Sequence, residues 1–590
     1  MGLRRRRESS ARAASAAADV IEKSLSIGKV EEPRVSAERW NWKWKKSHFV
    51  FALCLLGGCI LLHVAAAGFG FCLYDDQHQI VHNQTLEWSL APGYFVHDVW
   101  RFAQPLYRNF YRPVFLLWLL INWKLFAMNA VAWHLVQLLL HACVALLVWR
   151  LARHLLRDEF AAGVAGVVFA VHPAHVESAV WLSGSTEPLV AFFFLASFLA
   201  YLRSRGECTP DVFTKSGACV WWLLSGLLAL PALFSKETAL ALPGLILLHA
   251  WWFSGDIKGE SEVPAPAGSK VLHALTSVAP VLVASAIYFG MRIAVMQHLA
   301  VASNSLGRVL LTAPLDLVEC LRLSLWPYPL ALFYDLHLLS APTPGFWLAL
   351  VVVVAVAAVT VWASRRQPVL RLVAAWWLLP LLPVLAGLMS FPAGDLLHDR
   401  YVYLSTVAVA LLAGWAIARL PESPQRLLGV AVNRMVPLLV VTLAGALLTI
   451  AQTQVWHDPL SLFGHAVEVA PESVKARNLY ANQLLKAGAM QPALELYAGT
   501  LRLDPDGWDT NFAYGVTLLS TNHLPEAEER LRHACEVDTT NALGYALLAE
   551  TLRAEGRTAE ARNALRYGLA HADSQQDMLK AKLAEMESQP

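Results

Sequence analysis

The chain has 590 residues, of which 56% are hydrophobic and only 16% charged, and its mean hydropathy is +0.44. So apolar a sequence excludes an ordinary soluble globule and indicates a multi-pass membrane protein. The formal net charge is +2 and no concentrated basic face appears, so nucleic acid is not expected among its partners.

Residues 1–47 form a basic, Ser/Ala-rich tail with Arg4–Arg7, Lys43, Lys45 and Lys46. The apolar run that follows begins near His48 and lacks a cleavage-like end, which fits a retained anchor rather than a signal peptide. Basic residues ahead of the first span place the N-terminus in the cytoplasm. Span one (49–71) then delivers Asp75 and Asp76 to the outer side, and residues 73–129 form a long outer loop. Within it, Arg112 to Phe126 reads as an aromatic-rich interfacial helix. Spans two (130–149), three (160–181), four (187–203), five (219–235), six (238–254) and seven (271–291) follow, with Arg150, Arg153, Arg157, Arg203 and Arg205 on the inner side. The acidic Pro/Gly/Ser segment 255–269 reads as a cytoplasmic loop. Val309–Leu325 is treated as outer-surface or re-entrant, because counting it as a span puts Arg365 and Arg366 outside. Spans eight (345–364), nine (369–390), ten (401–418) and eleven (436–455) complete the core. An odd number of spans places the C-terminal domain outside.

Three consecutive 34-residue units, Val474–Gly507, Trp508–Asn541 and Ala542–Gln575, have the period of tetratricopeptide repeats. Small residues recur at matching positions, Ala481, Gly515 and Ala549, then Ala493, Ala527 and Ala561, where paired helices need close approach. Trp456–Pro471 reads as the second helix of a preceding unit. The expected fold is therefore all-α: a tail (1–47), a polytopic helical core of about 11 spans (48–455) and a C-terminal repeat solenoid (456–590). The last span runs almost directly into the array. Such arrays bind peptides or proteins along a concave face, or serve a purely structural role.

Chemistry is expected at three clusters. Asp75 and Asp76 either cap a loop helix or, set among Phe71 and Tyr74 close to hydrocarbon, act as a pair whose basicity is raised by desolvation. His172, His175 and Glu177, near the outer end of span three, form a polar helix end or bind a phosphate or metal, although their spacing is poor for zinc. Glu187 is a further acid nearby. Arg112, Lys236 and Arg400 sit at outer ends of spans, against the usual charge bias. They are interfacial anchors, or they hold the phosphate of a lipid headgroup. The eight cysteines (54, 59, 72, 143, 208, 219, 320 and 535) show no paired metal spacing and read as small hydrophobes.

Tyr74-Asp75-Asp76 with Ile80-Val81-His82-Asn83, then Tyr111-Arg112-Pro113, Phe169 to Glu177, Ser235-Lys236-Glu237 and Arg400 to Leu404, resemble in order the blocks of the transmembrane and tetratricopeptide repeat-containing proteins. The resemblance covers residues 49–575. That family is related to the protein O-mannosyltransferases and other GT-C glycosyltransferases, so the resemblance implies a GT-C-type core that uses a polyprenyl-phosphate sugar as donor and acids of the first outer loop. Two departures stand out. The array has fewer repeats than animal members carry, which leaves a cadherin-type acceptor unimplied and suits a prokaryotic member, and Asp399 precedes Arg400 where Glu is expected. The location implied is a bacterial inner membrane, or the endoplasmic reticulum membrane in a eukaryote, with the repeats periplasmic or luminal.

The implied mechanism is direct displacement. Asp76 takes the proton of a protein Ser/Thr hydroxyl as it attacks the anomeric carbon of the lipid-linked sugar (mannose or another hexose), and Asp75 orients its neighbour. Arg112, Lys236 and Arg400 stabilise the leaving phosphate. His175 and Glu177 line the cavity or coordinate a divalent cation. The repeats engage the acceptor protein. The rivals are a non-catalytic membrane scaffold and a transferase acting on a lipid or glycan.

Overall fold

The computed structural model describes residues 45–72, 74–100, 110–207, 216–253, 267–296, 303–392, 394–573 and 575–588. The basic tail up to residue 44, Cys208 and most of the acidic loop 255–269 lie outside the described residues.

The core begins with α1 (Lys46–Leu62), α2 (Pro113–Phe126), α3 (Ala130–Leu156) and α4 (Glu159–Ala170). A short α5 (Val176–Val180) is followed by α6 (Thr186–Glu207), α7 (Ser216–Ser235), α8 (Ala241–Trp252), α9 (Ala267–Met296) and α10 (Leu306–Leu325). The last part of the core is α11 (Pro344–Arg366), α12 (Val369–Leu378), α13 (Leu381–Gly387), α14 (Thr406–Ala418) and α15 (Val432–Val455). Apart from helices, a two-residue hairpin pairs Arg426–Leu427 with Val430–Ala431.

Among the described residues seven helical segments are long and apolar enough to cross a membrane, or eight if a bent pair is one span. The expected count of eleven is therefore not reached by helices of spanning length. Expected spans one and ten coincide with α1 and α14, of 17 and 13 residues, and span six with α8, of 12 residues. About 20 apolar residues are needed to cross the hydrocarbon as a helix. Span three is the bent pair α4 and 173–180, at 52°. The bend falls at Pro173, which opens a 3-10 turn and has no N–H for the helical ladder. The ambiguous stretch is α10, an amphipathic helix that carries Arg308, Asp316, Glu319 and Arg322 and is not of spanning composition.

Large side chains of α3, α4, α6, α9, α12 and the turn before α14 meet in one core, with Trp149, Phe169, Phe194, Phe198, Tyr288, Trp376 and Tyr403 buried together. Gly414 of α14 lies against the Ala161 carbonyl of α4, where any Cβ would overlap the oxygen. Two helices are only lightly covered by the rest of the core. Only 6% of the most apolar window of α11 is buried, and 11% of that of α15. Faces this apolar and uncovered belong against lipid.

After α15 the chain enters α16 (Pro459–Val469) within four residues, in keeping with the expected absence of a linker. The hairpins α17 (Val474–Lys486) and α18 (Met490–Leu501), α19 (Trp508–Ser520) and α20 (Leu524–Val537), and α21 (Ala542–Ala554) and α22 (Thr558–His571) follow, closed by α23 (Gln576–Ser588). First helices start at 474, 508 and 542 and second helices at 490, 524 and 558, so the 34-residue period of the sequence is the period of the hairpins. Ala481, Ala493, Ala527, Ala549 and Ala561 are all fully buried at the crossings. Trp456, Leu462, Phe463 and Ala476 share an apolar cluster with Ala66, Phe69, Val176, Trp181 and Phe333. The array is thus packed onto the core as well as tethered to it.

Ala527→Trp is expected to force apart the α19–α20 crossing, at a cost of about 1–3 kcal/mol or more. The cluster around Phe463 is remote from it and should persist. Limited proteolysis should cut the variant between residues 508 and 571 while leaving the helical core intact; equal loss of both parts would mean that core and array fold as one unit.

Candidate functional site

Two acids follow α1 and a short 3-10 turn (Val64–Gly68), at the end of the core where the repeats dock. Asp76 is buried, 1% exposed, and its carboxylate is fully engaged. Oδ2 accepts from the Cys72 N–H at 2.9 Å, and Oδ1 accepts from the Ser183 N–H at 2.9 Å and the Ser183 hydroxyl at 2.5 Å. Burial raises its pKa and these donors lower it, leaving it at about 6. Asp75 is partly buried, and among the described residues its carboxylate accepts no hydrogen bond. Burial pushes its pKa up to about 7, against the attraction of Arg400 and Lys475 and with the repulsion of Asp76 and Asp395. At neutral pH Asp75 is therefore close to half ionised.

The bend after α4 contributes Glu177, 1% exposed. Its Oε2 accepts from the Arg400 backbone N–H at 2.8 Å and its Oε1 from the Arg400 guanidinium. That guanidinium lies over the rings of Trp181 and Tyr401, each at 5.2 Å. Lys236, at the end of α7, lies 5.3 Å from the same Tyr401 ring and pairs with Glu187. Burial lowers the Lys236 pKa, and Glu187 works against that shift. Arg112, just before α2, donates to Glu237 at 2.8 and 3.1 Å, and Arg292 reaches the other oxygen of Glu237 at 3.2 Å. Burial alone would raise the Glu237 pKa, but the two arginines hold it below its usual value. The three predicted cations are thus each paired with an acid, and two of them share the Tyr401 ring. Asp399, where the family pattern has Glu, is buried and accepts the Tyr334 hydroxyl.

His175 departs from its expected place in the cavity. Its Nε2 meets the Thr406 hydroxyl at 2.7 Å, and its ring packs on Phe169, Tyr403, His141 and His172. These are groups of the helical core. The turn at Pro173 sends His175 inward and Glu177, two residues on, toward Arg400. With both Glu177 oxygens held by Arg400, both Asp76 oxygens held by donors and His175 turned away, these residues do not fit a divalent cation.

No sequence pattern marks Lys475, the second residue of α17. Its Nζ lies 2.7 Å from Asp395 Oδ2, and 5.5 and 5.1 Å from the rings of Tyr74 and Phe333. Asp395 also lies 3.1 Å from His398 Nε2. Burial opposes ionisation of Asp395, yet His398 and Lys475 hold its pKa far below the ordinary carboxylate range. The repeat array therefore supplies a cation beside Asp75. Ser183, which fixes Asp76, was equally unmarked in the sequence.

The fold and this site define a multi-pass helical membrane protein with a charged site where the core meets a repeat array. No protein-family model matches the chain. It is 26% identical over 552 residues to Protein O-mannosyl-transferase Tmtc3 of Drosophila melanogaster, covering 81% of this chain and 58% of that protein. It is 22% identical over 502 residues to human Protein O-mannosyl-transferase TMTC3, covering 78% of this chain and 52% of the relative. Over 204 residues it is 30% identical to human TMTC1, covering 34% and 23% of the two chains. The chain is a relative of the transmembrane and tetratricopeptide repeat-containing protein O-mannosyl-transferases, and it spans just over half the length of the Tmtc3 and TMTC3 relatives. Among solved structures, the apo oligosaccharyltransferase of Archaeoglobus fulgidus gives a TM-score of 0.38 at 12% identity, over 73% of this chain and 59% of that one. The enzyme AglB from the same organism, in complex with an inhibitory peptide and a dolichol-phosphate, gives 0.36 at 12% identity, over 70% and 56%.

Lys475→Glu is expected to set a third carboxylate against Asp395 and Asp75 and to loosen the array from the core, whereas Lys475→Arg keeps the contact. Faster proteolysis within residues 456–473 of Lys475→Glu, with Lys475→Arg like the parent, is the expected pattern. Equal cleavage of all three would show that the pair contributes nothing to docking.

Proposed function

We propose that this protein is a GT-C-type membrane glycosyltransferase that moves mannose or another hexose from a polyprenyl-phosphate carrier to a Ser/Thr hydroxyl of a protein. The observation that carries this reading is the convergence of Asp75 and Asp76 with Arg400, Lys236 and Lys475 on the face where the apolar core meets the repeats. On this reading the face is extracytoplasmic, and the repeats are tetratricopeptide units that present the acceptor.

The geometry favours a division of labour opposite to that expected from sequence. Asp76 has both oxygens committed to Cys72 and Ser183, so it shapes the loop. Asp75 has oxygens to spare and a pKa of about 7, which suits a general base at neutral pH. The acceptor oxygen attacks the anomeric carbon, its proton passes to Asp75, and the bond to the carrier phosphate breaks with its electrons on the phosphate oxygen. No strong acid is needed, because the leaving group is already a stable anion. Arg400, 16% exposed at its side chain, is the cation best placed to receive it, with Lys236 behind the shared Tyr401 ring.

One observation favours the scaffold alternative: Arg400, Lys236 and Arg112 are already paired with Glu177, Glu187 and Glu237. Transfer from a radiolabelled polyprenyl-phosphate mannose to protein, in membranes that hold the parent or a variant, separates the readings. Asp75→Asn is expected to lose about a hundred- to ten-thousand-fold in rate. Asp76→Asn should lose activity together with order in the loop, and Ser183→Ala should share part of that loss. Because Asp75 acts as the carboxylate, the rate should fall as pH drops below about 7, by roughly tenfold per pH unit. Full activity in Asp75→Asn would remove it as the base. Absence of transfer by the parent with several carriers would favour the scaffold.

A further inference from the structure

Beneath the charged site, the helical core holds a second cluster with no part in the proposed transfer. Cys59 and His63 are one helical turn apart at the end of α1, and His141 faces them from the middle of α3. One ligand atom from each of the three lies within 4.8 Å of the others. All three residues are buried, at 3%, 0% and 0% exposure, and Cys59 is a free thiol. The His63 and His141 rings meet edge to face with centroids 5.4 Å apart.

The hydrogen bonds settle which nitrogen of His63 is left, and they occupy one nitrogen of His141. His63 Nδ1 lies 3.1 Å from the Cys59 carbonyl. A carbonyl only accepts, so Nδ1 carries the proton and the lone pair sits on Nε2. His141 Nδ1 is held by the Tyr403 hydroxyl at 2.7 Å. Among the described residues, Nε2 of His63 and Nε2 of His141 are both buried without a hydrogen-bond partner. An unsatisfied buried polar atom is unfavourable, and here two of them accompany a thiol. Metal-binding histidines commonly have the other ring nitrogen fixed in this way by a carbonyl or a polar side chain.

From this geometry we propose that Cys59, His63 and His141 form a three-coordinate site for a soft monovalent metal ion of the Cu(I) type. Thiolate and imidazole donors suit Cu(I) and Zn(II). Charge separates the two. A monovalent ion on one thiolate and two neutral imidazoles is neutral overall, whereas a divalent ion leaves a net positive charge in the apolar core with no carboxylate in the set. Structural zinc also takes four protein ligands, against three here. Binding replaces the thiol proton by the metal and releases one proton per ion, with no change of oxidation state. The bound ion ties α1 to α3. Through Tyr403, three residues after Arg400, it also buttresses the segment that pairs with Glu177.

The test uses the full-length protein in detergent, stripped by a chelator and loaded anaerobically with Cu(I) against a chromophoric competitor. One equivalent is expected, with X-ray absorption reporting one sulfur and two nitrogen neighbours. Cys59→Ser and His63→Ala should each abolish binding, and Cys54→Ser, five residues earlier on α1, should retain it. Should the variants fail to fold, the parent alone still decides, since its thermal midpoint should rise on loading. Absence of stoichiometric copper and of any thermal shift would overturn the site. Unchanged binding in Cys59→Ser would overturn the ligand set, and one equivalent of zinc with none of copper would overturn the monovalent assignment.

Discussion

Keeping two adjacent carboxylates out of water is the constraint around which this site is organised. A buried charge without partners costs several kcal/mol, and Asp75 and Asp76 are stabilised in different ways. Asp76 is solvated by fixed protein donors, the Cys72 N–H and both groups of Ser183. Among the described residues Asp75 has no such donors, and it depends on the more distant charges of Arg400 and Lys475. One acid is therefore held in place by its hydrogen bonds, while the other stays near its titration point and is free to change state.

Four distant parts of the chain meet to satisfy that requirement. The bend at Pro173 brings Glu177 and then Ser183, the 3-10 turn Asp399–Val402 brings Arg400 and Tyr401, and the end of α7 brings Lys236. The first repeat helix brings Lys475. The apolar cluster of Phe333, Trp181, Phe463 and Ala476 holds these parts together from below. The array is thus a wall of the site, and its docking and the electrostatics of Asp75 are one problem.

Much of this was legible in the sequence, and the failures have physical causes. Hydropathy marked α3, α7, α9, α11 and α15 well, because length and composition agree there. It departs from helix length where an apolar run is broken into short pieces, as in the 3-10 turn and α8 at 237–252, since hydropathy registers burial and not helix continuity. The 34-residue period was visible because small residues at helix crossings recur in register. His175 and Glu177 looked like one cluster, but a turn of backbone between them sends one into the core and the other to the site. Lys475, Ser183 and Asp395 act through tertiary contacts, which no local pattern announces. The spacing Cys59-x-x-x-His63 was present but lacked its third member, 78 residues further on in another helix.

The exposed helices α11 and α15 carry a different kind of information from the rest of the core. A residue in α3 or α14 must fit a particular neighbour, so its shape is specified. Along most of α11, which is a run of Val, Ala and Leu with almost nothing packed on it, only solubility in hydrocarbon is required. Exchanges among aliphatic residues there leave the fold indifferent, whereas one Asp or Arg at mid-helix costs about 2.5–3.5 kcal/mol. Drift among relatives should therefore run fast in residue identity and slowly in hydropathy along the uncovered faces of these two helices, so that sequence identity between relatives understates how similar their membrane parts are.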